Sequence, residues 1–240
     1  MTRVLKMVGS TVGAAAAVYR GDVALIYLRF GRTSDHAAGN PLLDRFLPEH
    51  EVRERHSVRV AASAEITFAA ARDVSFRDSR VARMLFALRE VPMRLLGSRA
   101  AITERRSILD EVTALGWREL DKAPGRHIMG AVTQPWKPQV HFRGLSPDEF
   151  VSFREPGYAK IAWTIEVDPA GHSASIFSTE TRVMTTDPAS HERFRRYWAV
   201  VSPGILIIRH EILRLVKTEA ERRADLHASA AGEGRRSTPP

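Results

Sequence analysis

Side chains two positions apart on an extended segment project to the same side. Glu180 and Arg182, within the alternating run Ser173 to Thr186, are therefore a same-side pair. Turned into a cavity, they would orient the polar end of a ligand or act as acid and base. Turned outward, they are a solvated ion pair of little energetic weight. Their same-side neighbours Ile176 and Met184 are apolar, which points to burial. Phe177, Thr179, Thr181 and Val183 make up the other side, and alternation leaves open which of the two looks inward. His127 shares a strand side with Met129 and Ala131, where a lone histidine is either a hydrogen-bonded structural residue or a proton-transfer group. His210 and Glu211 lie on a helical segment, and His210 falls two residues after Ile208, off the apolar stripe, which predicts exposure.

Other chemistries are excluded by type and spacing. None of the nine histidines forms a metal-binding helical pair or a metalloprotease signature. No serine occupies a nucleophile elbow and no glycine loop has the form of a phosphate cradle. The chain has no cysteine, so thiol catalysis, thiolate metal sites and disulfides are ruled out. We expect no metal and no cofactor. Trp136, Trp163, Tyr197 and Trp198 suit either a cavity wall or an ordinary core, because the same residues line both. Arg193, Arg195 and Arg196 could meet anionic headgroups, but a charge cluster on a helix is by default its wet side. The net charge of +8 comes from 36 basic and 28 acidic residues interspersed along the chain, so no nucleic-acid partner is expected.

These residues need a scaffold. In 240 residues that are 44% hydrophobic there is room for one domain with a sizeable core. The longest element runs from Asp187, an N-cap residue type, and Pro188, suited to the first helical position, to Arg223. Its apolar stripe is Phe194, Trp198, Val201, Ile205, Ile208, Ile212 and Leu215, ending at Glu219, with Arg195, Arg196, Arg209, Arg214 and Lys217 opposite. Ser202-Pro203-Gly204 predicts a kink but no stop, since the stripe keeps its phase. Upstream, Val52–Val60 alternates as a strand with one basic face, Ser63 caps a short helix, and Asp78 or Ser79 starts another through Val81, Met84, Leu85 and Leu88. Thr103 begins a third short helix, closed by Gly116. From Trp117 the rhythm is extended: strands at 117–120, 127–133, 150–153, 158–167 and 173–186, with turns at Lys122 to Gly125 and at Asp168-Pro169-Ala170-Gly171.

The order of elements, strand, short helices, antiparallel strands and one long helix, predicts an α+β fold. Within it, Glu51-Val52-Arg53-Glu54-Arg55-His56, the run Phe150 to Trp163 (FVSFREPGYAKIAW) and Ser178-Thr179-Glu180-Thr181-Arg182-Val183 resemble bacterial proteins of the SRPBCC superfamily, the START-like, Bet v 1-like, polyketide cyclase and lipid-transport group. The resemblance covers roughly Leu42 to Arg223. It implies a helix-grip fold, a curved antiparallel sheet wrapped around a long C-terminal helix with an apolar cavity between. It speaks poorly to function, because the superfamily spans carriers, receptors, cyclases, oxygenase subunits and chaperone activators. No histidine pair with a nearby carboxylate matches the oxygenase iron site.

The expected organisation is an N-terminal apolar segment and linker (1–40), a helix-grip domain (41–224) and a disordered basic tail (225–240). The uncharged run Met7 to Tyr19 has the size of a signal-peptide core. Extended through Leu28 it reaches spanning length, with Arg20 and Asp22 inside at about 2.5–3.5 kcal/mol each on insertion scales. A peripheral or soluble segment, an anchor and a cleaved signal all remain open. The expected partner is a hydrophobic or amphipathic small molecule, lipid or polyketide-like, touched by Met129, Ala131, Trp163, Thr179, Glu180, Arg182 and Tyr197. The alternatives are a cyclase- or hydrolase-type enzyme using Glu180, Arg182 or His127, and a membrane-associated regulatory module. Oligomeric state is left open.

Overall fold

A computed structural model of the chain describes Tyr27, Phe30 and residues 40–75, 78–79 and 107–236, with side chains as far as 229. Among these residues the elements are α1 (Pro41–Asp44), β1 (Val52–Val60), α2 (Ala64–Asp73), α3 (Ile108–Ala114), β2 (Arg118–Ala123), β3 (Arg126–Thr133), β4 (Phe142–Arg143), α4 (Pro147–Ser152), β5 (Ala159–Pro169), β6 (Ser175–Thr185) and α5 (Pro188–Arg236). The strands form one antiparallel sheet in the order β1-β6-β5-β3-β2, with β4 beside β3. One side of this curved sheet holds the long helix α5, so the fold is α+β of the helix-grip type.

Local chemistry accounts for most boundaries. β2 and β3 meet across Pro124-Gly125, and Gly125 adopts φ 73°, which a side chain would disfavour in so short a loop. Ser63 caps α2 by accepting from the Ile66 N–H at 3.4 Å. The segment read as a strand at 150–153 is instead the helix α4. Its start carries the reason: Pro147 occupies the first turn, and the Glu149 carboxylate accepts from the Ser146 N–H at 2.9 Å and from the Ser146 hydroxyl at 2.6 Å. β2 also runs on to Ala123, through residues assigned to a turn. Ser107 caps α3, accepting from the Asp110 N–H at 3.1 Å. Thr103 and the helix expected through Val81, Met84, Leu85 and Leu88 lie outside the described residues.

Asp187 starts α5 as its residue type predicts. Its carboxylate accepts from the Ser190 N–H at 3.0 Å and the Ser190 hydroxyl at 2.6 Å, and from the Gly157 N–H at 2.6 Å. One side chain thus caps the helix and ties it to the turn before β5. These bonds, that of the Ser190 hydroxyl first, hold the Asp187 carboxyl well below its usual range. A depressed carboxyl stabilises the fold above its unfolded pKa of about 3.9 and loses that contribution as the pH falls through the lower folded value. Asp187→Ala should therefore lower the thermal midpoint at pH 7 by a few degrees, and the gap from wild type should narrow when both are melted near pH 2. An undiminished gap would mean the charge plays no part.

α5 continues through Ser202-Pro203-Gly204 and past Ala224 to Arg236, well into the stretch assigned to a tail. Its buried positions are Ser190, Phe194, Trp198, Ala199, Ser202, Arg209, Leu213, Leu215, Val216 and Ala220. Leu215 is buried as the sequence predicts, but at Ser202, Arg209 and Leu213 the buried stripe sits about one residue later, and Arg209, expected on the wet side, points inward. Tyr27 and Phe30 pack on the first turns of α5: the Arg195 guanidinium lies 3.8 Å from the Tyr27 ring centre, and Phe30 meets Phe194 at 5.8 Å. Among the described residues no helix is long and apolar enough to cross a membrane. The run Met7 to Tyr19 lies outside them.

Candidate functional site

Antiparallel register decides which side chains share a side of the sheet. Glu54 is opposite Thr181, Thr181 opposite Trp163, Trp163 opposite Met129, and Met129 opposite Glu119, so these five form one transverse row. A neighbouring row pairs His56 with Thr179, and Ile165 with His127. The row on the other flank is Val52, Val183, Ile161 and Ala131. All face α5. Ile165, Val167 and Phe177 pack with Leu213 and Val216, and Val52 and Val183 pack with Phe194 and Trp198. Met129, Ala131, Trp163 and Thr179 are thus brought together on the helix side, and Tyr197 joins from α5 beside Phe194.

Glu180 and Arg182 belong to the reverse side, which also answers which side of β6 meets the helix. That side is covered by α1 and α4 through Leu43, Phe46, Leu47 and Phe150, packed on Leu120, Ile128, Val132 and Ala162. Both members of the pair are 1% exposed. Arg182 donates to Glu180 at 2.9 Å, to Asp44 at 2.6 Å and to the Leu47 carbonyl at 2.9 Å. Arg53 and Arg55 donate to the same Glu180 carboxylate at 3.0 and 3.2 Å. Burial by itself would raise the Glu180 carboxyl, but the bonds from Arg182 and Arg53 outweigh it and hold it low. Turned away from the helix and filled with protein partners, the pair pins α1 to the sheet. Nearby, Asn40 donates to Glu166, and Lys160 is brought down to about 8, first by burial and then by Arg154.

The helix side differs in two respects. First, in the middle of the sheet it is the more open side: Ile161, Trp163 and Thr181 keep partial exposure, while Lys160, Ala162, Thr164, Glu180 and Arg182 behind them are buried. Second, it holds most of the buried polar atoms that the fold does not satisfy, the reverse side holding one among the described residues, Ser178 Oγ. Among the described residues, His56 Nε2, His127 Nε2, Ser202 Oγ and Arg209 Nε are buried without a hydrogen-bond partner. The nearest candidate for His56 is Glu54 Oε2 at 3.5 Å, at the limit of a hydrogen bond. Burial, and after it the charge of Arg209, keeps His56 below the usual histidine range. His127 is held from both sides: Nδ1 lies 2.8 Å from Glu119 Oε2, and Phe68 stacks on the ring at 5.4 Å. Trp117 meets the edge of Trp163 at 6.4 Å.

Sequence reading singled out His127 but missed Glu119, His56, Ser202 and Arg209. The signal for His56 was available, since it lies on the non-basic side of an alternating strand. Arg209 had none, because a helical phase error of one residue turns a side chain through about 100°. A separate open cleft of about 700 Å³ lies between α2, α3 and α5, lined by Asp73, Ser107, Leu215, Glu219 and Arg222 among others. Its charges already pair with one another, Arg222 with Glu219 at 2.7 Å and Arg223 with Asp73 at 2.8 Å.

No family model matches this sequence, and no curated protein matches it. Solved structures do. The ZhuI aromatase/cyclase of Streptomyces sp. R1128 is similar at 16% identity and a TM-score of 0.29, over 72% of this chain and 94% of that one. A START superfamily protein of Mycobacterium smegmatis is similar at 15% and 0.26, over 74% and 99%. The di-domain ARO/CYC BexL is similar at 12% and 0.29 over 71% of this chain, which spans only 46% of that protein. At such identities and TM-scores nothing about the helix side of the sheet is carried over from them.

Proposed function

We propose that the chain binds a hydrophobic or amphipathic small molecule between the sheet and α5. The observation that carries this reading is the partial exposure of Ile161, Trp163 and Thr181, midway along β5 and β6 on the helix side. Ile161 and Trp163 of β5, flanked by β3 and β6, are less buried on the helix side than their neighbours on the reverse side. A core packed solid against α5 would bury them as well. Met129, Ala131, Trp163 and Tyr197 supply adaptable and aromatic walls, and Thr179 a hydroxyl, for a ligand held chiefly by apolar burial. Glu180 and Arg182 have no part in this binding.

A second reading, acid–base chemistry on the bound molecule, is favoured by one contact. Glu119 fixes the His127 ring through Nδ1 and leaves Nε2 unpartnered on the same side as Met129. That is how a carboxylate prepares an imidazole to take a proton.

The uncharged probe N-phenyl-1-naphthylamine tests the first reading. It should bind with micromolar affinity, roughly −8 kcal/mol, with enhanced fluorescence. Thr181→Trp, enlarging a partly exposed side chain on the open helix side, should block the probe and leave the fold intact. Failure of the wild type to bind, together with a loss of about 1–3 kcal/mol in Thr181→Trp, would mean that helix and sheet enclose a packed core.

A further inference from the structure

Arg209 is 9% exposed, yet among the described residues its guanidinium forms no salt bridge, and the Glu54 carboxylate acts on it only at longer range. Nη1 reaches only the backbone carbonyl of Glu54, at 3.4 Å, and Nε has no partner among the described residues. Other inward arginines are differently placed: Arg182 holds Glu180 and Asp44, and Arg53 holds Glu180. A guanidinium does not lose its proton in a protein, so burial cannot neutralise Arg209 as it can a lysine. A buried charge whose counter-charge stands off without a direct hydrogen bond is unfavourable, and a ligand anion seated on it would relieve that cost.

The surroundings supply hydroxyl and imidazole groups, each able to donate. Ser202 lies two turns before Arg209 on the inward stripe of α5, 3% exposed, with its hydroxyl unpartnered. Helical side chains lean toward the N-terminus, which carries the Arg209 head back toward that turn and the level of Glu54. Across the groove, β1 and β6 present His56, Thr179 and Thr181. His210, exposed on α5, stands with its ring 5.1 Å from that of His56. Among the described residues the acid facing this cluster is Glu54, whose carboxylate lies beside His56 and whose charge also acts on Arg209. In the row of Glu54 and Thr181 the next residues are Trp163 and Met129, so this polar end opens on the apolar wall.

We propose that Arg209, assisted by Ser202 and His56, is an anion-recognition point, and that the ligand of this groove is an amphipath bearing a carboxylate. The planar edge of Nε and Nη matches two carboxylate oxygens, while the apolar body lies along Trp163 and Met129. This assignment rests on the ligand-groove reading above and adds the chemical class of the ligand.

The test is fluorescence titration of the full chain at pH 7 with cis-parinaric acid and, in parallel, its methyl ester. These probes share one apolar body and differ in charge. The acid should bind at least ten-fold tighter than the ester. Arg209→Met should bring the ratio close to one, and Arg209→Lys should restore part of it, since an ammonium keeps the charge without the fork. Equal affinity of acid and ester for the wild type overturns the proposal and leaves the groove reading standing. Binding of neither probe overturns both. An unchanged ratio in Arg209→Met also overturns it, and if that variant does not fold by circular dichroism, Ser202→Ala takes its place: a reduced ratio supports the proposal and an unchanged one rejects it.

Discussion

Arg182→Ala is expected to lower folding stability by about 3–5 kcal/mol. Arg182 is buried on the reverse side of the sheet and joins three elements: Glu180 on its own strand, Asp44 of α1, and the Leu47 carbonyl beyond α1. Truncation removes the bonds to all three at once. It leaves a cavity, an orphaned carbonyl, and a Glu180 carboxylate still 1% exposed with only Arg53 and Arg55 to compensate it. Arg55→Ala is the matched control. Its side chain is 36% exposed, and its bond to Glu180 is one of several, so it should cost no more than about 1 kcal/mol. Urea unfolding of the three proteins reads the difference. Equal midpoints for Arg182→Ala and wild type would mean that α1 is not pinned through this residue.

The second large effect concerns the phase of α5. Phe194 and Leu213, at 1% and 5% exposure, face the sheet, whereas Ile208 is only half-buried. Phe194→Ala should cost about 3–5 kcal/mol and Leu213→Ala about 2–5 kcal/mol. Ile208→Ala should cost a fraction of either. The stripe read from sequence gives another ranking: it places Ile208 at the centre of the interface and omits Leu213. Denaturant melts of the three variants therefore decide between two faces of one helix. A loss for Ile208→Ala equal to that for Leu213→Ala would rotate the helix back to the sequence phase and turn Arg209 outward again.

Several features of the site are legible in the sequence. His127, Met129 and Ala131 were grouped by strand alternation, and the structure keeps them on one side, opposite Ile165, Trp163 and Ile161. Asp187 and Pro188 marked the start of α5 by residue type, because the capping bonds at that start are local. The segment 150–153 shows the limit of pattern reading. Its apolar residues suit a strand, but Ser146, Pro147 and Glu149 just upstream had already set a helix start. Four residues are too few for a period of two to outweigh a cap.

Alternation determined which residues of β6 travel together, since successive side chains point to opposite sides whatever surrounds them. It could not tell that Thr179 meets the helix and that Glu180 with Arg182 meets α1. Both sides of β6 are covered, so both carry mostly buried residues and neither reads as the wet one. The period of α5 likewise determined that a helix would form and roughly where it would be apolar. It did not determine that Ser202 and Arg209 point inward, because polarity at a single position says nothing about direction when partners lie far off in the chain. Glu54 is 155 residues from Arg209, and only the docking of helix on sheet brings them together.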